Sequence, residues 1–84
     1  MNRKYRIKNL ISNLSKDFTI EIVDNSHLHV GHNNFDGENE THIKIILDNK
    51  NNVKINRLNI HKQINDLLKY EFRKGLHSLE IKII

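Results

Sequence analysis

The sequence predicts a single small α+β domain in the order αββαβ, with three strands in one mixed sheet and the helices packed on one face. Two observations carry this. Three short segments alternate apolar and polar residues, the period of half-buried strands. Two longer segments repeat their apolar residues every three to four positions, the period of amphipathic helices. Eighty-four residues leave no room for a second domain, so 1–84 is read as one unit.

The first helix is read over roughly 3–15, because Ile7, Leu10, Ile11 and Leu14 sit at i, i+3, i+4 and i+7. Phe18, Ile20 and Ile22 then alternate with Thr19 and Glu21, a first strand. Residues 24–40, DNSHLHVGHNNFDGENE, have no period and hold two of the three glycines, so they are read as a loop. Ile43, Ile45 and Leu47 alternate with His42 and Lys44, a second strand, and Asp48 to Asn52 is a polar turn. From about residue 57, Leu58, Ile60, Ile64, Leu67, Leu68 and Phe72 fall mostly on one side of a second helix. Lys69, Arg73 and Lys74 load its last turn, favourable at the negative end of the helix dipole, and Gly75 is placed to cap it. Leu79, Ile81 and Ile83 alternate with Ser78, Glu80 and Lys82 as a third strand. A short separate turn at the start of the second helix would make the order αββααβ. The first two strands should pair antiparallel as a hairpin. The third, arriving through a helical crossover, should run parallel to the strand it leaves.

Composition narrows the function. With 37% hydrophobic and 29% charged residues the chain has the balance of a folded protein. It has no cysteine, which excludes a disulfide framework, a CxxC zinc site and a thiol nucleophile. There is no apolar run of 18 residues, and the basic start MNRKYRIKNL lacks the apolar core of a signal peptide, so a cytoplasmic protein without a membrane span is expected. A chain this short buries only about 60–65% of its unfolded surface, too little to wall off a deep substrate cavity. No GxSxG elbow and no glycine-rich phosphate cradle is present, so no enzyme is expected. Charge is uneven. Residues 1–16 carry five basic side chains and no acid, residues 17–48 carry seven acids against Lys44 alone, and residues 49–84 carry eight basics against three acids.

The six histidines stand out. His27, His29 and His32 lie in the one long loop, and His77 lies between the helix cap and the last strand. Loops beyond about 12–15 residues in a compact domain are usually functional or disordered. If both junctions face the same end of the sheet, His29 or His32 converges with His77. Neutral imidazole is a good ligand for zinc, copper, iron and nickel, but two ligands do not complete a structural site. Asp36 and Glu38, or a partner, would have to complete it. The plainer reading is a solvated polar loop whose histidines bind nothing. His42 reads as a residue of the wet face or an edge, and His61 as a packing or hydrogen-bonding histidine of the helix.

The runs VDNSHLHVGH at 23–32, ETHIKIIL at 40–47, HKQINDLL at 61–68 and GLHSLEIKII at 75–84 resemble the BolA-like protein family, in order and over nearly the whole chain. The most specific pieces are Asp24, Ser26 and His29 at D-x-S-x-x-H spacing, Thr41-His42-Ile43-Lys44, and Gly75-Leu76-His77-Ser78. The resemblance implies the αββααβ fold, similar to the KH type II arrangement. It implies a non-enzymatic adaptor that pairs with a monothiol (CGFS-type) glutaredoxin and shares a bridging 2Fe–2S cluster with it and glutathione, in iron–sulfur trafficking and iron regulation. It further implies His77 as one cluster ligand and a loop histidine as the other: His29, with His32 the alternative. The isolated chain is then expected to be a monomer that holds no cofactor. Family members usually carry an aromatic-x-Gly before the second helix and Arg-His-Arg at its start. Here those stretches read Asn52-Val53-Lys54 and Ile60-His61-Lys62.

Some family members are reported as transcriptional regulators, so a second function class is nucleic-acid binding. Arg57, Lys62, Lys69, Arg73 and Lys74 would be the phosphate contacts. Against it, the GxxG clamp of KH domains is absent, and the acidic loop would repel phosphate.

Overall fold

The computed structural model describes residues 3–25 and 41–84. Helix α1 spans Arg3–Leu10 and passes into a 3₁₀ turn at Ser12–Lys16. Strands β1 (Thr19–Asp24) and β2 (His42–Asp48) follow, then helices α2 (Arg57–Leu67) and α3 (Lys69–Arg73), and finally strand β3 (Ser78–Ile83). The sheet order is β1-β2-β3. β1 pairs antiparallel with β2, and β2 pairs parallel with β3, as the connection lengths require.

Register follows from the alternation. Ile20, Leu47 and Ile83 form one row across the sheet, and Ile22, Ile45 and Ile81 form the next. These rows face the helices and join Ile7 of α1, Ile11 just past it, and Ile60, Ile64 and Leu68 of the crossover in one core cluster. Ile7, Ile11, Ile45, Leu47, Ile64 and Leu68 are fully buried. Each contributes about 1.5–3 kcal/mol relative to an exposed side chain. The opposite face carries the polar partners, among them Glu21, Lys44, Glu80 and Lys82.

The structure departs from the sequence reading at both helices. The single first helix over 3–15 is instead α1 plus a tighter turn. Ile11 leaves helical geometry at φ −104°, ψ 15°, and Leu14 N–H bonds back three residues to the Ile11 carbonyl at 3.0 Å. Three residues per turn stack Ile11 and Leu14 on one side, so both reach the core. The crossover splits at Leu68 rather than at its start. Leu58 is 63% exposed, because it lies about 200° around the helix from Ile60. Phe72, past the break, is also exposed.

That break brings Glu71 inward, where it is buried between Arg3 and Arg6. Arg3 Nε donates to Glu71 Oε1 at 3.0 Å, and Arg6 donates to both carboxylate oxygens at 2.9 Å. Arg3 also donates to the Lys74 carbonyl at 2.8 Å, one of the orphan acceptors at the end of α3. Every buried charge here has hydrogen-bonded opposition, the condition under which burial is tolerable. The Arg6 hydrogen bond, aided by Arg3, holds the Glu71 carboxyl below its ordinary range although burial pushes it up.

Two turns need residues that tolerate positive φ. Gly75 at φ +115° ends α3, and Leu76 N–H bonds back to the Glu71 carbonyl at 2.9 Å, the six-to-one bond of a Schellman cap. Asn52, at φ +53°, stands in the stretch where the family pattern has aromatic-x-Gly. Its turn is closed by Asn49, whose side chain accepts from Val53 N–H at 3.0 Å and donates to the Val53 carbonyl at 2.8 Å. Asn56 caps α2 by accepting from Asn59 N–H.

Candidate functional site

The end of β1, the start of β2 and the junction before β3 share one end of the sheet. Strand β1 ends at Asp24, and Asn25 N–H donates to the His42 carbonyl at 2.8 Å. On the other side of β2, His77 N–H and Ser78 N–H both donate to the Thr41 carbonyl, at 2.8 and 3.0 Å. Asn25 and Thr41, the residues flanking 26–40, therefore lie within one hydrogen bond of the His42–His77 neighbourhood. His29 and His32, the predicted loop ligands, lie outside the described residues, as does His27. His77 is exposed, immediately before β3.

His42 lies beside His77, a pairing the sequence reading did not draw. It does sit on the wet face, since Ile43, Ile45 and Leu47 take the core face. It is not an edge residue, because β2 is the central strand. Its ring lies beside His77, with centroids 5.4 Å apart and planes tilted by 45°. The Thr41 hydroxyl and His42 Nδ1 are 2.9 Å apart, a hydrogen bond whose direction follows the imidazole tautomer. Two residues further along the same face, Lys44 Nζ and Glu80 pair at 3.3 Å. The signal for the histidine pair was present in the sequence. Laying Leu79-Ile81-Ile83 beside Ile43-Ile45-Leu47 in parallel sets Ser78 opposite His42, and His77 one step away.

The basic residues offered as nucleic-acid contacts are all exposed. They spread along the crossover. Lys69, Arg73 and Lys74 gather around Tyr70 at the end of the crossover, with Lys69 Nζ 5.5 Å and the Arg73 guanidinium 5.3 Å from the ring centre. Lys69 also pairs with Asp66 at 3.9 Å. Arg57 opens α2, about 16 Å of helix away, and Lys62 lies between. Among the described residues no helix is long and apolar enough to cross a membrane. Three surface depressions of about 420 to 550 Å³ run along α1, and neither His42 nor His77 lines them.

Residues 10–84 match the family model of the BolA-like proteins. BolA1 from Arabidopsis thaliana superposes with a TM-score of 0.72 and 30% identity, covering 99% of this chain and 90% of that one. The BolA domain of SufE1 from Arabidopsis thaliana gives 0.71 and 29%, covering 99% of this chain and 91% of that domain. An uncharacterized protein in the cobS 5′ region of Sinorhizobium sp. is 38% identical over 64 residues, 75% of this chain and 69% of that protein.

Proposed function

This chain belongs to the BolA-like protein family, and we propose that it is a non-enzymatic adaptor that pairs with a monothiol glutaredoxin and shares a 2Fe–2S cluster with it. His77 supplies one ligand, and His29 or, as the alternative, His32 supplies the second. The observation that carries this reading is the position of His77. It is exposed at the sheet end where Asn25 and Thr41 flank the histidine-bearing segment. The donor chemistry fits a shared site. With no cysteine, the chain offers only imidazole, and the thiolates come from the glutaredoxin and glutathione. Iron bound by nitrogen on one side and sulfur on the other has precedent in Rieske centres, where histidine raises the potential. The chain's own task is to hold His77 outward on a rigid strand junction and to exclude competing ligands by partner contact. The BolA domain of SufE1 supports a role beside another protein, since there the domain is part of a larger one.

The test is anaerobic reconstitution with a monothiol glutaredoxin and glutathione, followed by visible circular dichroism. A spectrum distinct from that of the glutaredoxin alone, lost in His77→Ala and in one of His29→Ala or His32→Ala, is expected. A spectrum identical to that of the glutaredoxin in every variant would sink the proposal.

A second reading, a nucleic-acid-binding regulator, draws on Tyr70 between Lys69 and Arg73, a stacking surface flanked by cations. If those two and Lys74 meet phosphates, affinity for single-stranded DNA should fall with a log–log salt slope of about −2.

A further inference from the structure

We propose that the outer edge of β1, with the groove between it and α1, docks an extended acidic segment of another protein as an added strand. The main chain is the first argument. In the sheet formed by the described residues, β1 is an outer strand. Asn25 N–H donates to the His42 carbonyl at 2.8 Å, which continues the register of β1 on β2 and marks a hydrogen-bonded pair. Bonded and non-bonded pairs alternate in an antiparallel ladder. Val23, Glu21 and Thr19 therefore aim their main-chain groups at β2, and Ile22 and Ile20 aim theirs outward. The other side of β2 fixes the same phase, since the Thr41 and Leu47 carbonyls accept from Ser78 and Ile84 there.

The space beside that edge is the second argument. Two depressions of about 550 and 420 Å³ share Tyr5, Lys8 and Ile20 and run between α1 and β1. At about 3.3 Å per residue, the stretch from Thr19 to Ile22 along them is about 10 Å, the length of a short added strand. Phe18 and Ile20 line the groove, and the Tyr5 ring beside them is 58% exposed. Charge selects the occupant. Lys8 and Lys50 line the groove and are exposed. Lys50 is brought there by Asn51, whose side chain donates to the Lys16 carbonyl at 3.1 Å and ties the turn after β2 to the 3₁₀ turn. Glu21, the acid of this edge, alternates to the face away from the helices. Strand addition takes its affinity from the main chain and its specificity from alternate side chains. Those on the helix side would meet Tyr5 and the lysines and should be acidic or aromatic. Those on the other side would lie beside Glu21 and should be neutral. A second copy joined through β1 in a continuous sheet would set α1 against α1 and lysine against lysine, so the occupant is a different chain.

The test is an NMR titration of the full chain with capped heptapeptides. Thr-Glu-Thr-Phe-Thr-Glu-Thr puts its acids and its ring on one face. It should bind, shifting the amides of Ile20 and Ile22 and the signals of Tyr5 and Lys8. Replacing both glutamates by lysine, or moving them to the face opposite the ring, should each weaken binding at least tenfold. Methylating the main-chain nitrogens of one alternate set should abolish binding, and methylating the other set should not. Lys8→Glu and Lys50→Glu should each weaken the acidic peptide at least fivefold at about 0.1 M salt. Lys74→Glu, at the end of the crossover, should stay within twofold, and amide spectra report that each variant is folded. The proposal is overturned if the acidic peptide does not bind, if the lysine peptide binds equally, or if the two methylated sets behave alike. Shifts of the same residues by oligothymidylate in place of the peptide would assign the groove to nucleic acid, and a dimer of the free chain through β1 would assign the edge to a second copy; either overturns it. The edge lies across β2 from the His77 junction, so these outcomes are read separately from the cluster spectrum.

Discussion

Replacing Glu71 with glutamine removes the one negative charge from a cluster of three. Arg3 is 8% exposed and cannot turn to water, whereas the Arg6 side chain is 33% exposed and can. Breaking a buried ion pair by removing one partner costs about 3–5 kcal/mol, and the freedom of Arg6 sets the expectation at the lower end, about 3 kcal/mol. Against the roughly 4–13 kcal/mol that a domain of this size has in total, that is a large share. At about 4–8 °C per kcal/mol the melting temperature should fall by about 12–24 °C. The pH dependence provides an independent check. The folded carboxyl is held below its ordinary value of 4.5, chiefly by the Arg6 hydrogen bond. The native state thus binds fewer protons than the unfolded chain at mildly acid pH. Its stabilisation is complete above the unfolded value and is withdrawn as pH falls through the folded one. Thermal unfolding followed by circular dichroism between pH 7 and pH 3 should show the wild type losing its advantage over Glu71→Gln on acidification. A cost under 1 kcal/mol at pH 7, or acid profiles that run parallel, would refute the reasoning.

Two other outcomes are expected. Gly75→Ala should destabilise by about 1–3 kcal/mol in urea titration, through backbone strain at φ +115° rather than crowding. A β-carbon there meets nothing nearer than the Arg3 guanidinium at 3.5 Å. Ile45→Ala, at the middle of the central strand and fully buried, should cost about 2–5 kcal/mol in the same titration; a midpoint within error of the wild type would show that the core closes differently.

Strand order, direction and register were largely legible because the apolar residues alternate cleanly: once Ile43-Ile45-Leu47 and Leu79-Ile81-Ile83 are strands, a one-residue slip would turn one set to the wet face, and the alignment that overlaps the two triplets fully is the one observed. Helix limits were less so. Ile60, Ile64, Leu67 and Leu68 give a continuous stripe, and nothing in it marks the break at Leu68, which answers to a tertiary demand. That demand was visible in part. Glu71 lies three residues past Leu68 and seven past Ile64, so the period set a carboxylate on the apolar side, opposite two arginines three apart on the first helix. Reading Lys69, Arg73 and Lys74 only as a dipole match overlooked it. In the candidate site, His77 at the junction was legible from the cap and the strand start. The partnership with His42 needed the parallel register to be drawn out residue by residue. The choice between His29 and His32 falls outside the described residues.

The Arg3–Glu71 contact joins positions 68 residues apart. Helix α1 is synthesised before the sheet, yet the carboxylate that its arginines grip comes only after both strands of the hairpin. At about 5–20 residues per second, some 3–14 seconds separate the two on the ribosome. Late in that interval, once residue 48 is made, the hairpin of β1 and β2 can form, but the parallel neighbour of β2 does not yet exist. A nascent chain halted before residue 71 would thus carry its basic helix without the carboxylate that secures it.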